Sequence, residues 1–198
     1  FVDKERLDNM SQTGKHQGVI AVIAAYEYAE VSDMLELARE KNEKPFLFIL
    51  DGIEDPHNLG AILRTCDAIG ADGIIIPKHR TVTLTPTVAK VSTGAIDTIP
   101  VAQVTNLTQT LKTLKEKGYW VACADMKNAQ DYRSSNYDTP LVLVIGSEGF
   151  GVSRLVRSEC DFAVTLPMVG KVSSLNASVA CSILLYEIYS KRHPLGKK

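Results

Sequence analysis

LVLVIGSEGFGV, residues 141–152, sets five aliphatic residues in a row and then turns through three glycines and one carboxylate. An apolar run without alternation is a strand covered on both faces, as in a parallel sheet sandwiched by helices. Gly146, Gly149 and Gly151 let the backbone bend sharply and lie close to a ligand. The spacing is not the GxGxxG of a dinucleotide site, and Glu148 stands inside the turn, where it would repel a pyrophosphate. Taken alone, the segment reads equally as a tight turn carrying a solvated glutamate.

Outward from this strand, apolar runs alternate with amphipathic ones, the pattern of βαβ units in one α/β domain with a mostly parallel sheet. Phe46–Leu50, Gly73–Ile76, Trp120–Ala124 and Phe162–Leu166 are further strand candidates, with Ile99–Val104 a weaker one. Asn58 is placed to cap a helix that stops at Gly70, and Asn106 to cap one that ends at Gly118. Ser32 followed by Met34, Leu35, Leu37 and Ala38 predicts a helix ahead of the first strand, and Ala177–Tyr189 a largely buried last helix.

The 198 residues, 45% of them hydrophobic, suit one such domain and leave no room for a second full one. Their formal charge of −1 argues against a protein that coats nucleic acid by electrostatics alone, so any RNA contact is expected to be local. No apolar stretch approaches the ~20 residues of a membrane span, and no secretory signal opens the chain, which reads as cytoplasmic. Cys66, Cys123, Cys160 and Cys181 are scattered, with no CxxC pair and no histidine at ligand spacing, so the reading is four reduced thiols and no metal. The chain opens on Phe1 and a polar, charged run to Gln17, so residues 1–44 are expected to be a linker and leading helix, with the α/β domain at 45–198.

Two more segments gather polar groups at strand ends, where open α/β sheets place their ligands. LDGIEDPHNLGAILRTCDAIG, residues 50–70, carries Asn58 and, six positions on, Arg64. By spacing alone that arginine could equally pair with Asp67 or extend to water. LPMVGKVSSLNASVA, residues 166–180, clusters Ser173, Ser174, Asn176 and Ser178 where the last helix opens. Capping accounts for one or two of them.

In this order the three segments closely resemble the motifs of the SpoU or TrmH-like branch of the SPOUT RNA ribose 2′-O-methyltransferases, over about Phe46 to Arg192. The resemblance implies a sheet whose C-terminal part is threaded through a deep trefoil knot, a homodimer, and S-adenosylmethionine bound mainly by backbone at Gly146, Leu166, Leu175 and Ala124. It carries the catalytic roles onto Asn58, Arg64, Glu148, Ser174 and Asn176, with Asn58 and Glu148 orienting Arg64, and Ser174 and Asn176 holding the ribose. A guanidinium titrates above about 12, so clamping the target phosphate suits Arg64 better than acting as base. The segment His16–Val22 (HQGVIAV) is similar to the linker of the bacterial 23S ribosomal guanosine 2′-O-methyltransferases, which favours ribosomal RNA over tRNA and implies that residues 1–44 are the tail of a missing RNA-binding domain and 45–198 the catalytic domain.

Lys78, His79 and Arg80 form one basic group and Arg154 with Arg157 another, each a candidate RNA contact or a solvated loop. Within the class the rival is a tRNA ribose methyltransferase. Outside it stand a non-catalytic RNA-binding module that retains the knot, against which the full set of motif residues speaks, and a nicotinamide enzyme, which lacks its glycine fingerprint.

Overall fold

The computed structural model describes residues 2–11, 14–20, 26–41 and 43–196. In chain order the elements are α1 (Lys4–Met10), α2 (Val31–Glu40), β1 (Phe46–Asp51), α3 (Pro56–Ala68), β2 (Gly73–Pro77), α4 (Pro86–Ser92), α5 (Ala95–Thr98) and β3 (Val101–Val104). There follow α6 (Leu107–Glu116), β4 (Trp120–Ala124), β5 (Gln130–Asp131), β6 (Leu141–Gly146), α7 (Arg154–Glu159), β7 (Phe162–Thr165) and α8 (Ala177–Arg192). The last two residues of the His16–Val22 segment lie outside the described ones.

The seven strands are all parallel, in the order β3-β2-β1-β6-β4-β7-β5. The chain builds outward from β1 through β2 to β3 and then returns to fill the other side, so the direction of winding switches between β1 and β6. Ligands of open α/β sheets bind beyond the strand ends at such a switch.

Side-chain alternation along each strand feeds two cores. Phe48, Leu50, Ile74, Ile76, Leu143 and Ile145 face α3 and α8. Leu47, Ile49, Ile75, Val142 and Val144 face the other way, onto Met34 and Leu35 of α2 and Leu111 and Leu114 of α6. The helix expected from Ser32 onward is thus part of the domain's core.

Asn106 caps α6 through the Gln109 N–H, as read from the sequence, and Gly70 and Gly118 adopt the left-handed conformation just past their helices. The cap expected at Asn58 is corrected. α3 starts three residues earlier, with Asp55 accepting from the His57 N–H and Pro56 in the first turn, where its missing N–H costs nothing. Asn58 is buried inside the helix, and its side chain is free for a distant partner.

At the opposite end of the sheet, buried Asp72 closes the floor, accepting from the Phe46 N–H at 2.6 Å and pairing with Lys41 at 2.7 Å. Removing it as Asp72→Ala leaves that N–H without its partner. A loss of about 2 kcal/mol in urea unfolding is expected.

All four cysteines are free thiols. Burial pushes Cys181 up to about 12 and Cys66 well above the ordinary thiol range, which keeps both protonated and unreactive.

Candidate functional site

A cavity of about 420 Å³ opens at the C-terminal ends of β4, β6 and β7, next to the switch point. That volume lies in the usual span of small-molecule sites, about 300–1,000 Å³. Ala124 lines it from the end of β4, Gly146 from the end of β6, and Leu166, Ser174 and Leu175 from the segment joining β7 to α8. Four residues expected at a cofactor therefore share one cavity with two of the five expected in catalysis, Ser174 and Glu148.

The turn after β6 is closed by a reciprocal pair of backbone bonds, Gly151 N–H to Ser147 O at 2.8 Å and Ser147 N–H to Gly151 O at 3.1 Å. It folds back so tightly that a Cβ on Gly146 would stand 2.0 Å from the Gly151 carbonyl carbon and 2.2 Å from the Val152 nitrogen. A second tether runs from the Ser153 N–H to Asp51 Oδ2 at 2.7 Å, fixing the turn to the end of β1. The glycine at 146 is thus demanded by close packing of backbone on backbone.

Glu148 gathers the three segments. Its Oε1 accepts from Asn58 Nδ2 at 3.0 Å, Asn176 Nδ2 at 2.7 Å and the Ala177 N–H at 3.1 Å, while Asn176 Nδ2 also donates to Asn58 Oδ1 at 3.0 Å. Asn176 Oδ1 in turn caps α8, accepting from the Ser178 and Val179 N–H groups. Ser174 makes no hydrogen bond among the described residues and lies on the cavity wall.

Arg64 stands elsewhere. It is exposed on the outer face of α3, beside Tyr186 of α8, in a separate shallow cavity, and has no hydrogen-bond or ionic partner among the described residues. Within one chain, Asn58 and Glu148 hold each other and Asn176 instead of orienting Arg64, a correction to the expected contact. The reason is helical geometry. Six positions separate Asn58 from Arg64, and at about 3.6 residues per turn that displacement sets the two side chains roughly 120° apart around α3, so one faces the core and the other solvent.

Residues 45–186 match the SpoU rRNA Methylase family. The chain belongs to that family. SpoU proteins are RNA methyltransferases, and that class of activity and a dependence on S-adenosylmethionine go with membership. Residues 1–29 match a second family, "RNA 2'-O ribose methyltransferase substrate binding". Over 197 residues the SpoU chain is 59% identical to the TrmH family tRNA/rRNA methyltransferase YacO of Bacillus subtilis, covering 100% of this chain and 79% of that protein.

Among solved structures, this SpoU chain resembles the AdoMet-bound rRNA methyltransferase of Sinorhizobium meliloti at TM-score 0.75 and 29% identity, over 86% of this chain and 62% of that one. It also resembles the A. aeolicus TrmH/SpoU tRNA modifying enzyme at TM-score 0.70 and 30% identity, over 81% of this chain and 83% of that one.

The basic candidates of the SpoU chain divide. Arg157 donates Nε to Asp125 at 3.1 Å, a half-buried pair whose carboxylate residue also lines the 420 Å³ cavity, so the charge of Arg157 is largely spent on structure. Arg154, Lys78, His79 and Arg80 are exposed and carry no such partner among the described residues. Sequence reasoning missed Asp125, Met168 and Phe150 as lining residues. Only Asp125 left a signal, as a polar residue directly after a strand end. Among the described residues no group of three or more potential ligands could hold a metal, and no helix is long and apolar enough to cross a membrane.

Proposed function

We propose that the protein transfers a methyl group from S-adenosylmethionine to a ribose 2′-hydroxyl of RNA, with a guanosine of 23S ribosomal RNA as the target, and that it does so in the cytoplasm. The observation that carries the reading is the Glu148 junction, which pins three separated segments around one cavity. The match of residues 1–29 to a ribose-methyltransferase substrate-binding family supports the 2′-oxygen, and with it the view of residues 1–44 as the junction to an RNA-binding part.

The cavity suits the donor. Gly146 offers bare backbone and Leu166, Leu175 and Leu184 offer apolar walls, a combination able to hold an adenine through main-chain groups. When bound, S-adenosylmethionine would supply a methyl group on a sulfonium cation: its transfer breaks the S–CH3 bond, forms the O–CH3 bond and releases the 2′-hydroxyl proton to solvent, so no anion builds up on the way. The residues therefore need to align more than to stabilise an anion, an effect worth roughly 7–11 kcal/mol in favourable cases. Ser174 orients the incoming hydroxyl, while Asn58, Glu148 and Asn176 keep the walls in register. The knotted threading of the C-terminal segment belongs to the same reading.

Arg64 completes the site from a second copy. α8 leaves Val179, Ile183 and Tyr186 exposed at helical spacing, and Tyr186 borders the Arg64 cavity. A homodimer formed over this face covers the apolar side chains and carries each Arg64 toward the partner's site, where it clamps the target phosphate.

Mixing two inactive variants, Arg64→Ala and the pocket-blocking Leu166→Trp, is expected to restore methyl transfer to about a quarter of wild type, since half the dimers are mixed and each has one intact site. No recovery on mixing would place Arg64 in the site of its own chain or outside catalysis. The pH–rate profile of Arg64→Lys separates clamp from base: an unshifted profile with weaker RNA binding marks the clamp, and one moved to the lysine range marks the base.

Relatives are named for tRNA and rRNA together, and one structural neighbour for tRNA, so a tRNA ribose is the second reading. Labelled S-adenosylmethionine incubated with separate ribosomal and transfer RNA pools distinguishes them. Label confined to tRNA overturns the ribosomal assignment, and label in neither overturns the activity.

A further inference from the structure

On the other side of the Ser147–Gly151 turn lies a second cavity, about 770 Å³, enclosed by that turn, the end of β1 and the loop after β2. The two cavities share the whole turn, including Glu148 and Phe150. Most polar groups around the second one are already spent. Asp51 accepts from the Ser153 N–H, Asp55 caps α3, and Glu148 accepts from Asn58, Asn176 and Ala177. Glu54, His79 and Arg80 line it without a hydrogen-bond or ionic partner among the described residues. Phe150, at the shared wall, is 97% exposed.

An aromatic ring held almost wholly in solvent, a free carboxylate, a free guanidinium and a free imidazole around one cavity make a set that fits an unstacked nucleotide. Single-stranded RNA is recognised by stacking its bases on aromatic rings and hydrogen-bonding their Watson–Crick edges.

We propose that this cavity receives the base of the target nucleotide and selects guanine, with Phe150 stacking on the ring, Glu54 accepting from its N1–H and N2 amino group, and Arg80 with His79 facing a flanking phosphate. The assignment rests on the reading above that an RNA ribose is the acceptor, and it names the residues that choose the base.

The selection follows from donor patterns. Of the four RNA bases only guanine sets two donors side by side on its Watson–Crick edge, which a carboxylate accepts as a bidentate pair. Adenine and cytosine pair one amino donor with a ring acceptor that repels the carboxylate, and uracil flanks its single N–H with two carbonyls. A base in this cavity leaves its ribose at the shared turn, beside the cavity that fits the methyl donor.

The test has two parts. In the first, GMP, IMP, AMP and UMP are titrated into the protein in the presence of S-adenosylhomocysteine and followed by NMR. GMP is expected to bind about tenfold more tightly than IMP, which lacks only the N2 amino group, and to do so with shifts at Gly52, Arg80 and Phe150. Glu54→Gln is expected to erase that preference, and Phe150→Ala to weaken all four nucleotides alike.

In the second, RNA methylated with labelled S-adenosylmethionine is digested to nucleosides. Label is expected in 2′-O-methylguanosine, with kcat/KM for Glu54→Gln down about 100-fold and S-adenosylmethionine affinity unchanged. Equal binding of GMP and IMP, an unaltered Glu54→Gln, or label in another nucleoside overturns the base pocket. A clear GMP preference with no label in any RNA overturns the proposed activity and leaves the pocket standing.

Discussion

Gly146→Ala is expected to abolish S-adenosylmethionine binding, by at least 100-fold in Kd, and to cost about 3 kcal/mol or more of stability. The added methyl group would meet the Gly151 carbonyl carbon at 2.0 Å, its oxygen at 2.2 Å and the Val152 nitrogen at 2.2 Å. All three are backbone atoms, and none can rotate aside as a side-chain tip could. Relief requires the turn to lift off the end of β6, which breaks the Ser147–Gly151 bonds and pulls on the Ser153–Asp51 tether. The same turn is the common wall of both cavities.

Isothermal titration with S-adenosylmethionine and urea unfolding measure the two effects. Gly170→Ala is the control, since a Cβ there meets nothing within 4 Å and the residue lines neither cavity. Unchanged binding in Gly146→Ala would place the donor elsewhere.

What the sequence disclosed and withheld follows from the range of the interactions involved. β1, β2, β4 and β6 are buried on both faces, so their apolar runs stand out in any short window, and LVLVI at Leu141–Ile145 is read almost to the residue. α4 and α5 were missed because each is short and flanked by polar residues, although Thr85-Pro86, a cap followed by a first-turn proline, announces α4 locally.

Asn58 was misplaced for a different reason. As a residue type it suits a cap, but the Asp55-Pro56 pair had already supplied the helix start, and its real partner lies 90 positions away. Local spacing cannot display a bond of that span. The same holds for Arg157, whose spacing suggests an RNA contact while the fold turns it onto Asp125.

Arg64 marks a further limit. The motif order draws attention to it, while the fold sets it on the outer face of α3, away from the cavity where other motif residues gather. Conversely, Phe150 carries no motif signal, and its exposure becomes informative only once two cavities are seen to meet at its turn.

Glu148→Ala is expected to lower methyl transfer by at least 100-fold and to destabilise the protein by about 2–4 kcal/mol. One carboxylate oxygen accepts three N–H groups here, and two of them, from buried Asn58 and from Ala177 at the first turn of α8, have no other acceptor among the described residues. Truncation leaves them unsatisfied and also frees Asn176, whose remaining bond to Asn58 cannot alone hold the start of α8 against α3. Since Leu175 and Ser174 lie just before that start, loosening it should blur one wall of the cavity proposed for the donor and displace the serine proposed to orient the acceptor.

Glu148→Gln separates the structural from the electrostatic share of this loss. Its amide oxygen can still accept from the same donors, at the reduced strength of a neutral acceptor, so most of the stability should return. If activity returns with it, Glu148 acts through position alone. Activity that stays low in a protein as stable as wild type would show that the negative charge itself, beside a cavity fitted to a sulfonium donor, contributes to methyl transfer.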